Sequence, residues 1–180
     1  MDVNIRSAEM WALINLMGDF GGLTVVDFGC GYGDLLAFAL RAGASQVMGV
    51  DKDQRTLNTA ANKCKGLNAE FYRGDFEDDA VQRDILRMMG EDQGVSMDVA
   101  FCTSVLPYLK DPSGFVYWLS QKFDVSYIEC QYMGDGPGNI AESDADMSAW
   151  LLNTGFKSVY SIGKTYIDGR GKYRTIWECW

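Results

Sequence analysis

The sequence predicts a doubly wound α/β fold, with helices on both faces of a mostly parallel sheet. From residue 23 to residue 153, short apolar runs typical of strands alternate with segments of helical periodicity. After Gly155, two further strand-like segments cover residues 156–167 and 173–180. The sequence Asp168-Gly169 between them is typical of a hairpin turn. The sheet is therefore expected to end in an antiparallel pair.

The first strand, residues 23–28, leads into a glycine-rich turn. Gly29, Gly31 and Gly33 alternate with other residues, and a helical pattern begins at Asp34 and ends before Gly43. Glycines let a ligand approach the backbone closely, and a helix N-terminus presents free N–H groups with a partial positive charge. A strand, turn and helix in this order are typical of a nucleotide-binding crevice.

Two acidic residues indicate which nucleotide the turn could bind. The dinucleotide fingerprint requires a third glycine where this chain has Asp34. Asp27 precedes the first glycine by two residues, and its carboxylate would repel a pyrophosphate. The same carboxylate would attract an ammonium or sulfonium group. The turn therefore favours a cationic nucleoside over NAD.

This stretch resembles the first motif of the class I S-adenosylmethionine (SAM)-dependent methyltransferases, in which an acidic residue precedes three alternating glycines. Two further carboxylates extend the resemblance. Asp51 ends the second strand, 20 residues after Gly31, where an acidic residue can accept hydrogen bonds from both ribose hydroxyls. Asp75 and Phe76 follow the third strand, where the resemblance implies contacts with the adenine amino group and ring.

The resemblance covers nearly the whole chain and implies a Rossmann-like seven-stranded sheet in the order 3-2-1-4-5-7-6, with the last strand antiparallel. The fourth strand, residues 97–102, ends in small polar residues as in the family. SAM is the implied cofactor and S-adenosylhomocysteine (SAH) the product. The residues expected to bind them are Asp27, Phe28, Gly29, Cys30, Gly31, Gly33, Asp51, Lys52, Asp75, Phe76, Thr103 and Ser104.

The domain organisation is expected to be simple. Residues 1–180 form one domain, in which residues 1–22 carry a helix lying on the crevice and residues 23–180 form the core. Within that helix, Ser7 is a candidate cap, and Met10 or Trp11 either covers the ligand or packs on the sheet. A later helix is expected over residues 113–123 with Ser113 as its cap, and another over 144–153 with Ser143 as its cap.

The implied reaction is displacement of the SAM methyl group by an O, N, S or C nucleophile. The chain has no histidine, so any general base must be a carboxylate, a Tyr, Lys or Cys side chain, or water. Glu129 is the first candidate, with Tyr108 and Asp135 after it. Two alternatives stay open: Glu129 pairs with a lysine at the rim, or no base is needed.

The acceptor is expected beyond the fourth and fifth strands. Candidate contacts are Ser104, Leu106, Tyr108, Tyr132 and Met133. Arg170 and Lys172 in the hairpin turn either attract an anionic group of the acceptor or are simply solvated. The fourth strand is followed by Thr103-Ser104-Val105-Leu106 rather than the Asn/Asp-Pro-Pro-Tyr/Phe signature. This lowers the expectation of adenine or cytosine methylation.

Composition limits the remaining possibilities. The formal net charge of −9 disfavours nucleic acid as a partner. No apolar run is long enough to span a bilayer, so we expect a cytoplasmic protein. Either a monomer or a homodimer is expected. The five cysteines are scattered, and no metal site is expected. The alternatives to a methyltransferase are a non-catalytic SAM-binding or accessory protein and, less favoured, an NAD-dependent oxidoreductase.

Overall fold

The computed structural model describes residues 5–90, 97–129, 140–167 and 172–180. The chain begins with a helix and then alternates strands and helices before a closing pair of strands. The elements are α1 (Ile5–Met17), β1 (Thr24–Phe28), α2 (Asp34–Arg41), β2 (Gln46–Asp51), α3 (Gln54–Lys63), β3 (Ala69–Arg73), α4 (Asp79–Met88), β4 (Met97–Cys102), α5 (Pro112–Lys122), β5 (Phe123–Glu129), α6 (Asp144–Asn153), β6 (Val159–Ile167) and β7 (Lys172–Cys179). A short 3₁₀ helix, Leu106–Tyr108, lies between β4 and α5.

The seven strands form one sheet in the order β3-β2-β1-β4-β5-β7-β6. The first five strands are parallel, and β7 runs antiparallel to both β5 and β6. The predicted fold class and strand order are confirmed. Because parallel strands end at the same edge of a sheet, the residues that follow β1, β2 and β4 meet at one crevice.

The central strands are apolar because both faces of the sheet are covered. Successive residues point to opposite faces, so Val25 and Val47 join one core layer while Val26 and Met48 join the other. The first layer lies under α1 and α2, and Ile14 of α1 is fully buried in it. None of the helices in the described part of the chain is long and apolar enough to cross a membrane.

The predicted helix boundaries are largely right, but two caps are not. Asp111, not Ser113, caps α5 by accepting the Gly114 backbone N–H at 2.9 Å, because Pro112 fits the first helical position and moves the helix start forward. Ser7 lies inside α1, which already begins at Ile5. Ser143 caps α6 as predicted, accepting the Asp146 N–H at 3.2 Å.

The closing strands also differ slightly from the prediction. The first of them begins at Val159 rather than at residue 156, and Phe156 is buried in the core ahead of the strand. The predicted turn covers residues 168–172. Residues 168–171 lie outside the described residues, and Lys172 begins β7.

Candidate functional site

Two adjoining cavities lie at the carboxyl ends of β1, β2 and β4, and Gly29 lines both. The α1-side cavity has a volume of about 160 Å³. Its walls are Arg6, Ser7, Met10, Asp27, Gly29, Cys30, Gly31, Tyr32, Asp34, Leu35, Thr103 and Ser104. The β2-side cavity has a volume of about 200 Å³ and is lined by Gly29, Asp51, Lys52, Phe76, Val105, Tyr108 and Leu109.

Two glycines of the turn have different surroundings: Gly31 is open to a ligand, and Gly33 is closely packed. Gly31 has φ of +50°, and apart from Gly31 and its chain neighbours no heavy atom of the described residues lies within 4 Å of where a Cβ would stand. Gly33 has φ of +71°, and its Cβ would lie 2.7 Å from the Ala60 Cβ on α3. Gly33 therefore allows α3 to pack closely and does not line either cavity, whereas Gly31 leaves its backbone open to the α1-side cavity.

Asp51 holds the turn in place. Its Oδ2 accepts the Gly31 backbone N–H at 3.0 Å, and its Oδ1 accepts the Asp53 N–H at 2.9 Å. A carboxylate has about four lone-pair sites, so each oxygen can also accept a hydroxyl from a ligand. The residue predicted to contact ribose therefore also shapes the glycine turn.

Asp27 is a buried carboxyl group on the wall of the α1-side cavity, only 2% exposed. Burial, with a smaller effect of the nearby Asp51 charge, raises the pKa of Asp27 to about 8. Within the described residues, no group donates a hydrogen bond to Asp27 Oδ1. A buried acceptor without a donor is costly, and a cationic ligand in the cavity would satisfy it.

Asp75 and Phe76 lie where the sequence predicts, beyond β3. Asp75 Oδ2 is 3.1 Å from Lys52 Nζ and 3.4 Å from Lys110 Nζ. Burial alone would raise the pKa of Asp75, but the Glu77 N–H and Lys52 outweigh it and lower the pKa. Phe76 lines the β2-side cavity, while Asp75 lies on a neighbouring groove.

Phe28 was predicted to contact the cofactor, but its side chain is fully buried on the other side of the strand. Its ring packs edge-on against Phe115 and Phe123, at centroid distances of 5.3 and 5.8 Å. The side chain therefore lines neither cavity.

Glu77 fixes the segment that follows β4. Its Oε1 accepts the backbone N–H groups of Lys110 and Asp111 at 2.7 and 2.8 Å. The segment places Tyr108, which is 65% exposed, on the β2-side cavity. Leu106, predicted to contact the acceptor, is instead fully buried in the core.

Glu129, the predicted base, is fully buried at the end of β5 and sits in a charged cluster. Its Oε2 is ion-paired with Arg6, accepts the Ser104 hydroxyl at 2.7 Å and is 3.6 Å from Arg174 Nη1. Its Oε1 accepts the Thr165 hydroxyl at 2.8 Å. The partners are two arginines rather than the rim lysine considered as an alternative.

Ser104 is held in an unusual backbone conformation beside this cluster. Its φ of +63° is the one positive value among the described non-glycine residues. The Ser104 hydroxyl accepts a hydrogen bond from Arg6 at 2.8 Å while donating to Glu129. Strained residues of this kind concentrate at functional sites.

Arg6 is the main residue that sequence reasoning missed. The helix carrying it was expected at the crevice, but its partners Ser104 and Glu129 are 98 and 123 positions away. Met10 lines the cavity, while Trp11 packs against Phe20 at a centroid distance of 5.0 Å. The helix therefore supplies both a cavity wall and core packing.

Several predicted residues lie outside the described part of the chain: Tyr132, Met133, Asp135 and Arg170. Lys172 is the first residue of β7. Four of the five cysteines, Cys30, Cys64, Cys102 and Cys179, are buried free thiols, and Cys130 is outside the described residues.

Comparison with known proteins identifies the class. The methyltransferase domain family matches residues 25–116, just over half of the chain. The chain belongs to this family. Ribosomal protein L11 methyltransferase of Alteromonas mediterranea is 47% identical over 52 residues, which are 29% of this chain and 18% of that protein. The chain therefore aligns with less than a fifth of that relative's length.

Two solved structures share the fold. Magnesium protoporphyrin IX methyltransferase from Synechocystis PCC 6803, with bound SAM, has a TM-score of 0.69 and 23% identity, covering 97% of this chain and 77% of that chain. An S-adenosylmethionine dependent methyltransferase from Mesorhizobium loti has a TM-score of 0.62 and 18% identity, covering 94% and 96%. The predicted methyltransferase domain is confirmed by the family match. The solved structures support the predicted fold.

Proposed function

We propose that the protein transfers the methyl group of SAM to an O, N, S or C nucleophile of an unidentified acceptor and releases SAH. The observation that carries the proposal is the buried Asp27 beside the open backbone of Gly31. A dinucleotide would bring a pyrophosphate to this carboxyl group, whereas SAM brings an ammonium group. Charge complementarity therefore favours SAM over NAD.

The cofactor-binding roles follow from the two cavities. Asp27 receives the ammonium group, and the backbone of Gly29, Cys30 and Gly31 borders the methionyl part. Asp51 accepts the ribose hydroxyls on the β2 side, where Lys52 and Phe76 form walls beside the adenine and Asp75 stands next to them. Thr103 and Ser104 border the region where the methyl group would be presented.

When bound, SAM supplies an electrophilic methyl group on sulfur, and the leaving group is a neutral thioether. The chain's main task is then to align donor and acceptor, which can contribute roughly 7–11 kcal/mol in favourable cases. Asp27 and Asp51 would fix the two ends of the cofactor. The strained Ser104 would hold the end of β4 between the cavity and the charged cluster.

The two candidate bases, Glu129 and Tyr108, have different surroundings. Glu129 contacts two guanidinium groups and two hydroxyls, a set of partners that favours positioning over proton transfer. Tyr108 is exposed beside the β2-side cavity and can exchange protons with water. Replacing Tyr108 by Phe tests it: a base role predicts a loss of kcat, and a contact role predicts a change in KM only.

The proposal includes both small-molecule and macromolecular acceptors. The named relatives include a methyltransferase for a ribosomal protein and one for a magnesium porphyrin. These acceptors share neither size nor chemistry. We expect no nucleic acid partner, from the net charge of −9, and a cytoplasmic monomer or homodimer. We also propose one domain over residues 1–180, with residues 1–22 on the crevice.

The experiment is transfer of a radiolabelled methyl group from SAM to fractionated small-molecule and protein acceptors. The proposal predicts a labelled product that disappears when Asp27 is replaced by Asn. A non-catalytic SAM-binding protein predicts SAM binding of similar strength but no label in any fraction. Absence of both binding and label in the folded protein would contradict both functions.

A further inference from the structure

The methionyl part of SAM carries a carboxylate as well as an ammonium group, and both need partners in a buried crevice. Asp27 can serve only the ammonium group. The same α1-side cavity is also lined by Arg6, on the first turn of α1. This cavity therefore presents a guanidinium group as well as carboxyl groups to its ligand.

The guanidinium group of Arg6 is held in place from two strands. Its Nη2 contacts the Ser104 hydroxyl after β4, at 2.8 Å, and the Glu129 carboxylate at the end of β5. Only 26% of the Arg6 side chain is exposed. A guanidinium fixed in this way binds a carboxylate with little further loss of side-chain entropy.

A second guanidinium group lies beside the same carboxylate. Arg174, with a side chain only 8% exposed, approaches the same Glu129 oxygen at 3.6 Å and the Ser104 hydroxyl at 3.5 Å. Glu129 and Ser104 are therefore held by contacts of their own, and they in turn fix the position of the Arg6 guanidinium group.

We propose that Arg6 binds the carboxylate of the cofactor's methionyl group and that Glu129 and Ser104 are its positioning residues. The inference rests on the proposed SAM-dependent function and deepens it. Recognition is then zwitterionic: Asp27 contacts the ammonium group and Arg6 the carboxylate. The N-terminal helix becomes part of cofactor specificity, and Glu129 acts on the site through Arg6.

The test compares two ligands in calorimetric titrations: SAH, and decarboxylated SAH, which keeps the amine and lacks the carboxylate. The wild-type protein should bind SAH about 10- to 100-fold more tightly than the decarboxylated ligand, as expected for a charge-assisted pair. Arg6→Gln should weaken SAH binding by a similar factor and leave the affinity for decarboxylated SAH within about twofold. Arg55→Gln, an exposed arginine on α3, is the matched control and should change neither.

The outcomes separate this inference from the proposed function. Equal binding of the two ligands by the wild-type protein would overturn the role of Arg6 and leave the SAM-dependent function intact. This comparison uses the wild-type protein alone and so does not depend on the folding of a variant. An equal loss for both ligands in Arg6→Gln would also overturn it, because a structural role affects both alike. Failure of the folded wild-type protein to bind either ligand would instead contradict the proposed function itself.

Discussion

The Asp51 carboxylate accepts the backbone N–H of Gly31 at 3.0 Å and so connects the end of β2 to the turn after β1. This hydrogen bond links two residues, 20 positions apart, that we propose bind the cofactor. The same carboxylate faces the cavity that borders Lys52 and Phe76. A change at Asp51 should therefore affect the ribose contact and the shape of the turn together.

Replacing Asp51 by Ala is expected to weaken SAH binding by at least 30-fold. The variant loses a charged acceptor for ligand hydroxyls and the support of the Gly31 N–H, and hydrogen bonds to charged groups contribute about 1.5–3 kcal/mol each. Titration calorimetry checks this. Asp79→Ala, on the exposed first turn of α4, is the control. Wild-type affinity in Asp51→Ala would contradict the assigned role.

Replacing Gly31 by Ala is expected to abolish measurable SAH binding while the fold persists. The added methyl group meets no described atom within 4 Å, so it would occupy space that the ligand needs. Gly22→Ala is a matched control, because Gly22 has φ of +80° and equally open surroundings away from the cavities. Each substitution should cost about 1–2 kcal/mol of folding free energy through backbone strain. Similar SAH affinity in both variants would refute the assignment.

Replacing Gly33 by Ala should act on stability rather than through direct ligand contact. Its Cβ would lie 2.7 Å from the Ala60 Cβ, in addition to the strain of φ at +71°. Overpacking of this kind costs about 1–3 kcal/mol beyond the backbone strain. Chemical denaturation should therefore show a larger loss for Gly33→Ala than for Gly31→Ala. The reverse order would show that α3 does not pack on the turn as described.

Asp27 should make both stability and ligand binding depend on pH. Its folded-state pKa of about 8 lies above the ordinary value of 3.8, so the ligand-free folded protein retains a proton that the unfolded chain has released. The stabilisation from this group is complete below 3.8 and is lost as the pH rises to about 8. Asp27→Asn should remove this part of the pH dependence of unfolding.

The same group should release a proton when SAH binds. A ligand ammonium group favours the ionised carboxylate and so lowers the pKa of Asp27. Affinity should rise from pH 6 to about 8 and then level off, and the binding enthalpy at pH 7 should vary with the ionisation enthalpy of the buffer. In Asp27→Asn, the binding enthalpy should lose the part of its buffer dependence that comes from proton release by Asp27. An unchanged proton release in that variant would assign the proton to another group.

Replacing Glu129 by Ala should destabilise the protein by about 3–5 kcal/mol, because it leaves two guanidinium groups without their shared carboxylate. Glu142→Ala, at an exposed position, should have little effect. The loss should be smaller in a background where Arg6 is already Gln, since the two residues contact each other. Additive losses would contradict the coupling.

Much of the crevice could be predicted from the sequence because its main residues lie near the carboxyl ends of strands. Asp27 and Asp51 lie in the last two residues of β1 and β2, Asp75 lies two residues after β3, and such ends of parallel strands meet at one edge of a sheet. Strand order followed from the family resemblance. The pattern could not show which face Phe28 takes or that Gly33 serves the packing of α3.

The charged cluster could not be predicted because its contacts are distant in sequence. Glu129 meets Arg6 across 123 positions and Thr165 across 36, and only the packing of α1 and β6 brings these residues together. From the local sequence, Glu129 could be either a general base or a carboxylate at the rim of the site. Its actual partners became visible only in three dimensions.

The most direct test of the central claim is calorimetric titration of the purified protein with SAM, SAH and NAD, repeated with Asp51→Ala. The account predicts that SAM and SAH bind, that NAD does not, and that the substitution weakens SAH binding by at least 30-fold while the protein stays folded. NAD binding, or no binding of SAM and SAH by the folded wild-type protein, would contradict the assignment of the crevice to SAM.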